Sequence, residues 1–324
     1  MEEIKRILIL RYEHIGDYII TLPALKALRE KFPNAKIDIV VGPWNKELVK
    51  ATPYVDEAII FDNPLIRRNI SRISILKEII FNRKKYFQLF EKLNRKKYDL
   101  LINFSNRKTA RFFTKNILAR NKVSAPNENE STLEIDRCLK VVEQLDIKTK
   151  RSFVKLNYRK KDLDKINSII TRYNLGERRI ILAHLITPSK GKDWPIERWK
   201  KVFEKILSKG SVSIILLGVK EDKSLLEDFK KQFGNKIINV AGDLNLVQTK
   251  LLIEKADFFI GAGSGPLYLA DISGIPTLGL LGPESSLNWN LFNKKSHQIR
   301  KNNMIDIKVF EVLEKVGRIL NNIK

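Results

Sequence analysis

The stretch from Asp257 to Pro283, DFFIGAGSGPLYLADISGIPTLGLLGP, constrains the chain more than any other. Asp257–Ile260 is a short apolar run of the kind that forms a buried parallel strand. Gly261, Gly263 and Gly265 follow at once, and Pro266 suits the first position of a helix running to about Ser273. Thr277–Leu281 is a second apolar strand, closed by Gly282-Pro283. A glycine turn at a helix start presents unpaired N–H groups and the positive end of a helix dipole, which suits a phosphate. Tight loop geometry alone also uses such glycines, so the stretch by itself leaves both readings open.

The same alternation runs along the chain. RILILR (Arg6–Arg11) reads as a buried strand, the turn Tyr12–Asp17 follows, and Tyr18–Phe32 carries Leu22, Leu25 and Leu28 at helical spacing. Lys36–Val41 and Ala58–Phe61 are strands, and Asp99–Phe104 is another. Asn106–Lys122 reads as basic helix, with a brief strand at Lys122–Ser124 and a polar loop at 126–131. Helix Thr132–Leu145 and a charged connection, Lys148–Lys161, lead to helix Asp162–Tyr173 and a second alternating series. That series has strands at Arg179–His184, Val212–Leu217 and Ile237–Val240, with helices between them. Such a pattern is a parallel α/β sheet made twice over. The expected division is 1–157, 158–305 and a closing amphipathic helix in 306–324. Ligands of such sheets bind beyond the carboxyl ends of the strands, here in a cleft between halves.

Charge adds a second constraint. The net charge is +24, and between Ile66 and Lys122 there are 17 Lys and Arg against Glu78, Glu91 and Asp99, a net of +14. Ile66, Ile70, Ile73, Leu76 and Ile80 recur at helical spacing among Arg67, Arg68, Arg72 and Lys77, and Lys84–Lys97 carries Phe87, Phe90 and Leu93. Basic amphipathic helices can rest on an anionic interface. They can equally cover a sheet and show their charge to water. Phe81, Tyr86, Phe87 and Phe90 sit on or beside the apolar faces and read as core, which argues against a base-stacking platform and a specific nucleic-acid partner. One cysteine, Cys138, excludes an internal disulfide and suits a reducing compartment. No apolar run reaches the roughly 18 residues of a membrane span, and MEEIKRILIL lacks the pattern of a signal peptide.

Three passages in order carry a family resemblance: RILILRYEHIGDYIITLPALKALREKFPNAKI, KGKDWPIERW, and AGDLNLVQTKLLIEKADFFIGAGSGPLYLA with GLLGPESSLNW. Over nearly its whole length the chain resembles glycosyltransferase family 9, the bacterial lipopolysaccharide heptosyltransferases and their relatives. The resemblance implies an α/β chain of GT-B fold, two Rossmann-like doubly wound domains facing each other across a cleft. The acceptor belongs to the first and the donor to the second. It implies inverting, metal-independent transfer of heptose or a related sugar from an ADP-heptose-like donor to an anionic lipopolysaccharide or glycolipid core, with no further cofactor. A cytoplasmic enzyme, peripheral on the inner face of the bacterial cytoplasmic membrane, follows from it.

The resemblance also assigns residues. Asp17, in the Gly16-Asp17 turn, matches the family's catalytic aspartate; an aspartate there is also a good helix cap, and His14 is the alternative base. Lys192, just before Trp194-Pro195, matches the lysine that neutralises the leaving diphosphate, with Lys190 as competitor and Thr187 and Ser189 as hydroxyl donors. Asp222, beside Glu221, matches the acid that binds the ribose. Gly263, Ser264, Gly265 and Tyr268 fall in the donor motif, where the family usually has aspartate at 263 and histidine at 268. Those departures leave the backbone phosphate site but change the sugar contacts. They also open a second reading, a family member that binds nucleotide sugar or glycan without efficient transfer. Arg67, Arg68 and Arg72 are the expected acceptor and membrane contacts. Asp162-Leu163-Asp164 spells the Asp-x-Asp of metal-dependent transferases, but it opens a charged helix where i and i+2 diverge, and it reads as surface with no metal role.

Overall fold

The computed structural model describes residues 3–63, 66, 72–105, 107–125, 132–187, 193–208, 210–282 and 287–323. It divides into two compact units, Met1–Val154 and Lys155–Lys324.

The first unit is built on a five-stranded sheet of β1 (Arg6–Arg11), β2 (Lys36–Val41), β3 (Glu57–Ile60), β4 (Tyr98–Asn103) and β5 (Ala119–Ser124). Their order is β3-β2-β1-β4-β5 and every pairing is parallel. Its helices are α1 (Ile15–Lys31), α2 (Lys46–Lys50), α3 (Arg72–Phe81), α4 (Arg83–Asn94), α5 (Lys108–Asn116) and α6 (Glu134–Glu143). The central strands are apolar because both faces are covered: Ile7 through Leu10 and Leu100 through Ile102 are fully buried. Between α4, α5 and the sheet lies an aromatic cluster, in which Tyr86 meets Phe112 and Phe113 edge-on at 5.5 and 5.9 Å. Phe113 also packs on Tyr12 at 4.7 Å, so the ring contacts fix how α5 lies on the sheet.

The second unit repeats the scheme with six strands: β6 (Arg179–His184), β7 (Val212–Leu217), β8 (Ile237–Asn239), β9 (Phe258–Ala262), β10 (Thr277–Leu281) and β11 (Ser296–Arg300). Their order is β11-β10-β9-β6-β7-β8, again all parallel. Its helices are α7 (Lys160–Arg172), α8 (Ile196–Leu207), α9 (Lys223–Lys231), α10 (Leu246–Ile253), α11 (Gly265–Ser273) and α12 (Val309–Asn322). Numbered within each unit, the two orders are 3-2-1-4-5 and 3-2-1-4-5-6, the doubly wound pattern. Strand order therefore reverses between β1 and β4 in one unit and between β6 and β9 in the other, and binding groups belong at those two crevices.

Four expectations change. The strand after α5 begins at Ala119, not at Lys122, and β11 has no counterpart in the sequence reading. Both are edge strands of polar sequence, ARNKVS and SHQIR, without the apolar run that marks the inner strands. Phe81 and Phe87 are not core: they are 88% and 68% exposed, while Tyr86 and Phe90 are buried. Asp162 is not surface either. Its carboxylate is buried at the start of α7, bound by Arg159 at 2.9 Å and by Gln248 at 3.1 Å, while Asp164 is exposed, so the two carboxylates share no site.

Candidate active site

In the first unit the reversal crevice is built around Arg11, the last residue of β1, which is 1% exposed. Its Nε donates to the Asp17 carbonyl at 2.9 Å and its Nη1 to the Phe104 carbonyl, just past β4, at 3.1 Å. The same guanidinium lies 3.5 Å from Glu134, 3.8 Å from Asp17 and 3.9 Å from Glu13. Burial opposes its charge, but the neighbouring carboxylates outweigh burial and hold it protonated. Arg137 on α6 also donates to the Phe104 carbonyl, at 2.9 Å, and pairs with both oxygens of Glu134. Arg11, Glu134 and Arg137 were not picked out from the sequence. Two arginines and an acid buried together mark a charged cluster only once α6 is seen to pack on α1.

Asp17 is the third residue of α1, and its Oδ2 accepts the backbone N–H of His14 at 3.1 Å in a capping arrangement. Its side chain is 17% exposed, so it serves the helix start and still reaches solvent. Thr21 donates to the Asp17 carbonyl at 2.8 Å, which ties the first turn together. His14 is exposed and its ring stacks on Trp44 at 5.7 Å. Glu13 is buried beneath the turn, its carbonyl accepting from Trp44 Nε1 at 2.7 Å. Burial pushes the Glu13 carboxyl up; Arg11 pulls it down, and the charge of Asp17 raises it again.

In the second unit the crevice lies between the ends of β6 and β9. Gly261 is inside β9, not in the turn, and a side chain there would have its Cβ 2.9 Å from the His184 carbonyl. That close approach lets the two strands run together to their ends. Ser264 occupies the N-cap position of α11 without a side-chain capping bond; its hydroxyl lies 3.0 Å from His184 Nδ1 and 3.2 Å from the Ala262 carbonyl. Burial pushes His184 down to about 4, so it is a neutral partner. Gly263, Ser264 and Gly265 thus form the start of a nine-residue helix at the reversal point.

Thr187 follows β6 and is nearly buried, its N–H donating to Asp193 at 2.6 Å. Ser189, Lys190 and Lys192 lie outside the described residues, as do Arg67 and Arg68; of Arg72 the backbone is described, at the start of α3. Trp194 is fully buried, and its Nε1 donates to the Ile307 carbonyl at 3.0 Å. Trp194 meets Trp199 edge-on at 5.0 Å, so the paired tryptophans serve the core. Asp222 follows β7, the strand beside β6, and its Oδ2 accepts the Val219 N–H at 2.9 Å. Gly242 holds this corner with φ +76°, and a Cβ there would lie 2.7 Å from Lys220 Cα. Tyr268, on the first turn of α11, donates to the Trp289 carbonyl at 3.2 Å with the rings 5.1 Å apart. Asp271 secures the segment after Trp289 by accepting from the backbone N–H groups of Phe292 and Asn293. Among the described residues no group of three or more His, Cys, Asp or Glu is placed to hold a metal ion, and no helix is long and apolar enough to cross a membrane.

Two doubly wound units, each with its polar groups at a strand-order reversal, define the class: a two-unit Rossmann-like α/β protein of GT-B architecture. The sequence then places it within that class. Residues 86–316 match the model of glycosyltransferase family 9 (heptosyltransferase), and the chain belongs to that family and to the glycosyltransferases. It is 23% identical over 294 residues to lipopolysaccharide heptosyltransferase 3 of Escherichia coli (strain K12), covering 85% of this chain and 81% of that one. The family 9 glycosyltransferase structure from Veillonella parvula matches at TM-score 0.80 and 18% identity, over 99% of each chain. The Escherichia coli heptosyltransferase WaaC with ADP-2-deoxy-2-fluoro heptose matches at TM-score 0.72 and 16% identity, over 97% of this chain and 99% of that one.

Proposed function

We propose that this chain transfers heptose, or a related sugar, from an ADP-linked donor to an anionic lipopolysaccharide or glycolipid core, with inversion and without a metal. The observation that carries the reading is the pairing of two crevices in one chain. One ends in a partly exposed carboxylate, Asp17, and the other in a helix start suited to a diphosphate, Ser264-Gly265. The ADP linkage is drawn from the neighbour solved with an ADP-sugar.

In this reading the Asp17 carboxylate takes the proton of the acceptor hydroxyl while that oxygen bonds to the anomeric carbon. The bond from that carbon to the diphosphate oxygen breaks, and the nucleoside diphosphate leaves with the electron pair. Attack opposite the leaving group inverts the carbon. The departing charge is met by the backbone N–H groups of Gly263, Ser264 and Gly265 and by Lys192, with Thr187 and Ser189 as hydroxyl donors; a lysine point charge there does the work a metal would do. Asp222 receives the ribose hydroxyls. Arg11 acts through Asp17: it holds the turn by its carbonyl and keeps a positive charge beside the carboxylate.

Two further features bear on the partners. Leu76, Ile80, Phe81 and Phe87 on α3 and α4 are 57–88% exposed, next to exposed Lys77, Arg83 and Lys84. Large apolar side chains ringed by cations suit the surface of an anionic bilayer, so attachment is peripheral, at the inner face of the cytoplasmic membrane. The Tyr268 hydroxyl is directed at Trp289, and Gly263 has no side chain, which favours the alternative of a binder without efficient transfer. A screen of hydrolysis and transfer over ADP-, GDP- and UDP-sugars, with and without EDTA, decides. Turnover confined to an ADP-sugar and unchanged by EDTA is expected; binding without turnover for every donor would establish the alternative.

A further inference from the structure

The first unit holds an open cavity of about 410 Å³ beyond the carboxyl ends of β4 and β5, which finish level, with Asn103 opposite Ser124. It lies next to the strand-order reversal, on the edge of the sheet where α/β proteins bind ligands, and Ser105 in its floor neighbours Glu13 of the Tyr12–Asp17 turn. One wall carries Arg107, Arg111 and Lys115, each four residues from the next, so three cations stand in one stripe on α5 and the residue before it. The floor is neutral and hydrogen-bonding: Asn103 and Ser105, both under 5% exposed, and Ser124. Asn103 is held in place, its Nδ2 donating to Thr114 at 3.2 Å and its Oδ1 accepting from the Ser105 N–H at 3.0 Å.

The cavity concentrates like charge on one wall. Several surface helices carry a cation paired one turn away, as in Arg95–Glu91, Lys230–Glu227, Lys231–Asp228 and Arg318–Glu314. Among the described residues no carboxylate is paired with Arg111 or Lys115, and none lines the cavity. Like charges four apart on a helix repel and destabilise it. Phe112 and Phe113 face the aromatic cluster on the opposite side of α5, so the stripe is pinned toward the cavity instead of being free to spread.

We propose that this cavity binds a phosphate monoester borne on the sugar of the acceptor. Arginine forks match phosphate oxygens, and three cations over a neutral floor suit a compact dianion better than an uncharged glycan. Among the described residues no aromatic side chain lines the cavity, which favours a sugar phosphate over a nucleotide or a nucleic-acid strand. The placement of the acceptor on the first unit rests on the function proposed above; the phosphate site itself does not.

The test is calorimetry on the full chain with glucose 6-phosphate, glucose and inorganic phosphate, and competition by phosphatidylglycerol vesicles. Saturable binding of glucose 6-phosphate, weaker binding of inorganic phosphate, none of glucose and no displacement by vesicles are expected. Arg111→Gln with Lys115→Gln should weaken glucose 6-phosphate at least about tenfold, the loss of roughly one charge-assisted hydrogen bond or more. Both residues are exposed, and removing the repulsion should leave the melting temperature equal or higher. Unchanged affinity in the double variant, no binding of glucose 6-phosphate by the parent, or displacement by vesicles would overturn the proposal. ADP titrated into the same samples separates the two readings: lost ADP binding with retained sugar-phosphate binding counts against the transferase alone.

Discussion

His184 offers a sharp test of how the donor-side crevice is built. It ends β6, is buried, and meets Ser264 at 3.0 Å, and burial lowers its pKa from 6.5 to about 4. In the unfolded chain the imidazole takes a proton near its ordinary value, while the folded chain resists until about pH 4. The stabilisation is therefore complete above pH 6.5 and is lost as the pH falls toward 4. The full difference is on the order of 3 kcal/mol, and about 2 kcal/mol of it is gone at pH 5. His184→Asn keeps a polar group near Ser264 and removes the titration. Melting of both proteins should be followed at pH 7.5 and pH 5. For a unit of this size, 2 kcal/mol is roughly 4–8 °C, so the parent should lose that much more than the variant on acidification. Parallel losses in the two proteins would refute a buried neutral histidine at this position.

Three other outcomes follow from the same structure. Glu13 has its carboxyl pushed up by burial, so the stability it contributes is present at low pH and lost as the pH rises through its folded value; Glu13→Gln should gain on the parent in melting temperature between pH 5 and pH 8. Gly242→Ala forces a side chain into a left-handed conformation 2.7 Å from Lys220 Cα and should cost about 2–3 kcal/mol in denaturant unfolding, with ADP affinity falling as the Asp222 corner shifts. Phe81→Ser with Phe87→Ser removes two exposed rings, so cosedimentation with anionic vesicles should fall while the melting temperature holds.

The frame of both units was legible because inner parallel strands must be apolar on both faces, as in RILILR and VSIILL. Edge strands carry no such obligation, and β5 and β11 were obscured by Arg120, Lys122, His297 and Gln298. The donor crevice was legible as a glycine turn before a proline-opened helix, yet the sequence could not divide the labour within it: Gly261 packs against His184, and only Gly263, Ser264 and Gly265 form the helix start. Asp17 was legible from its turn, whereas the buried cluster of Arg11, Glu134 and Arg137 behind it joins residues more than 120 positions apart. Helical spacing alone presents the aromatics of α4 as a single apolar surface. Tyr86 and Phe90 were placed correctly, but Phe87 lies off the stripe that faces the sheet.

The central claim is that Asp17 is the base and not only the cap of α1. Asp17→Asn keeps an oxygen for the His14 N–H and removes the proton acceptor, whereas loss of the cap itself would cost about 1 kcal/mol. Turnover with an ADP-sugar and a lipopolysaccharide-core acceptor should be measured beside the melting temperature and ADP-sugar affinity. The account predicts that kcat falls by about 100-fold or more, while melting and donor binding stay near the parent. An Asp17→Asn enzyme that keeps turnover within about threefold of the parent would contradict it, because removing a general base costs at least about 100-fold.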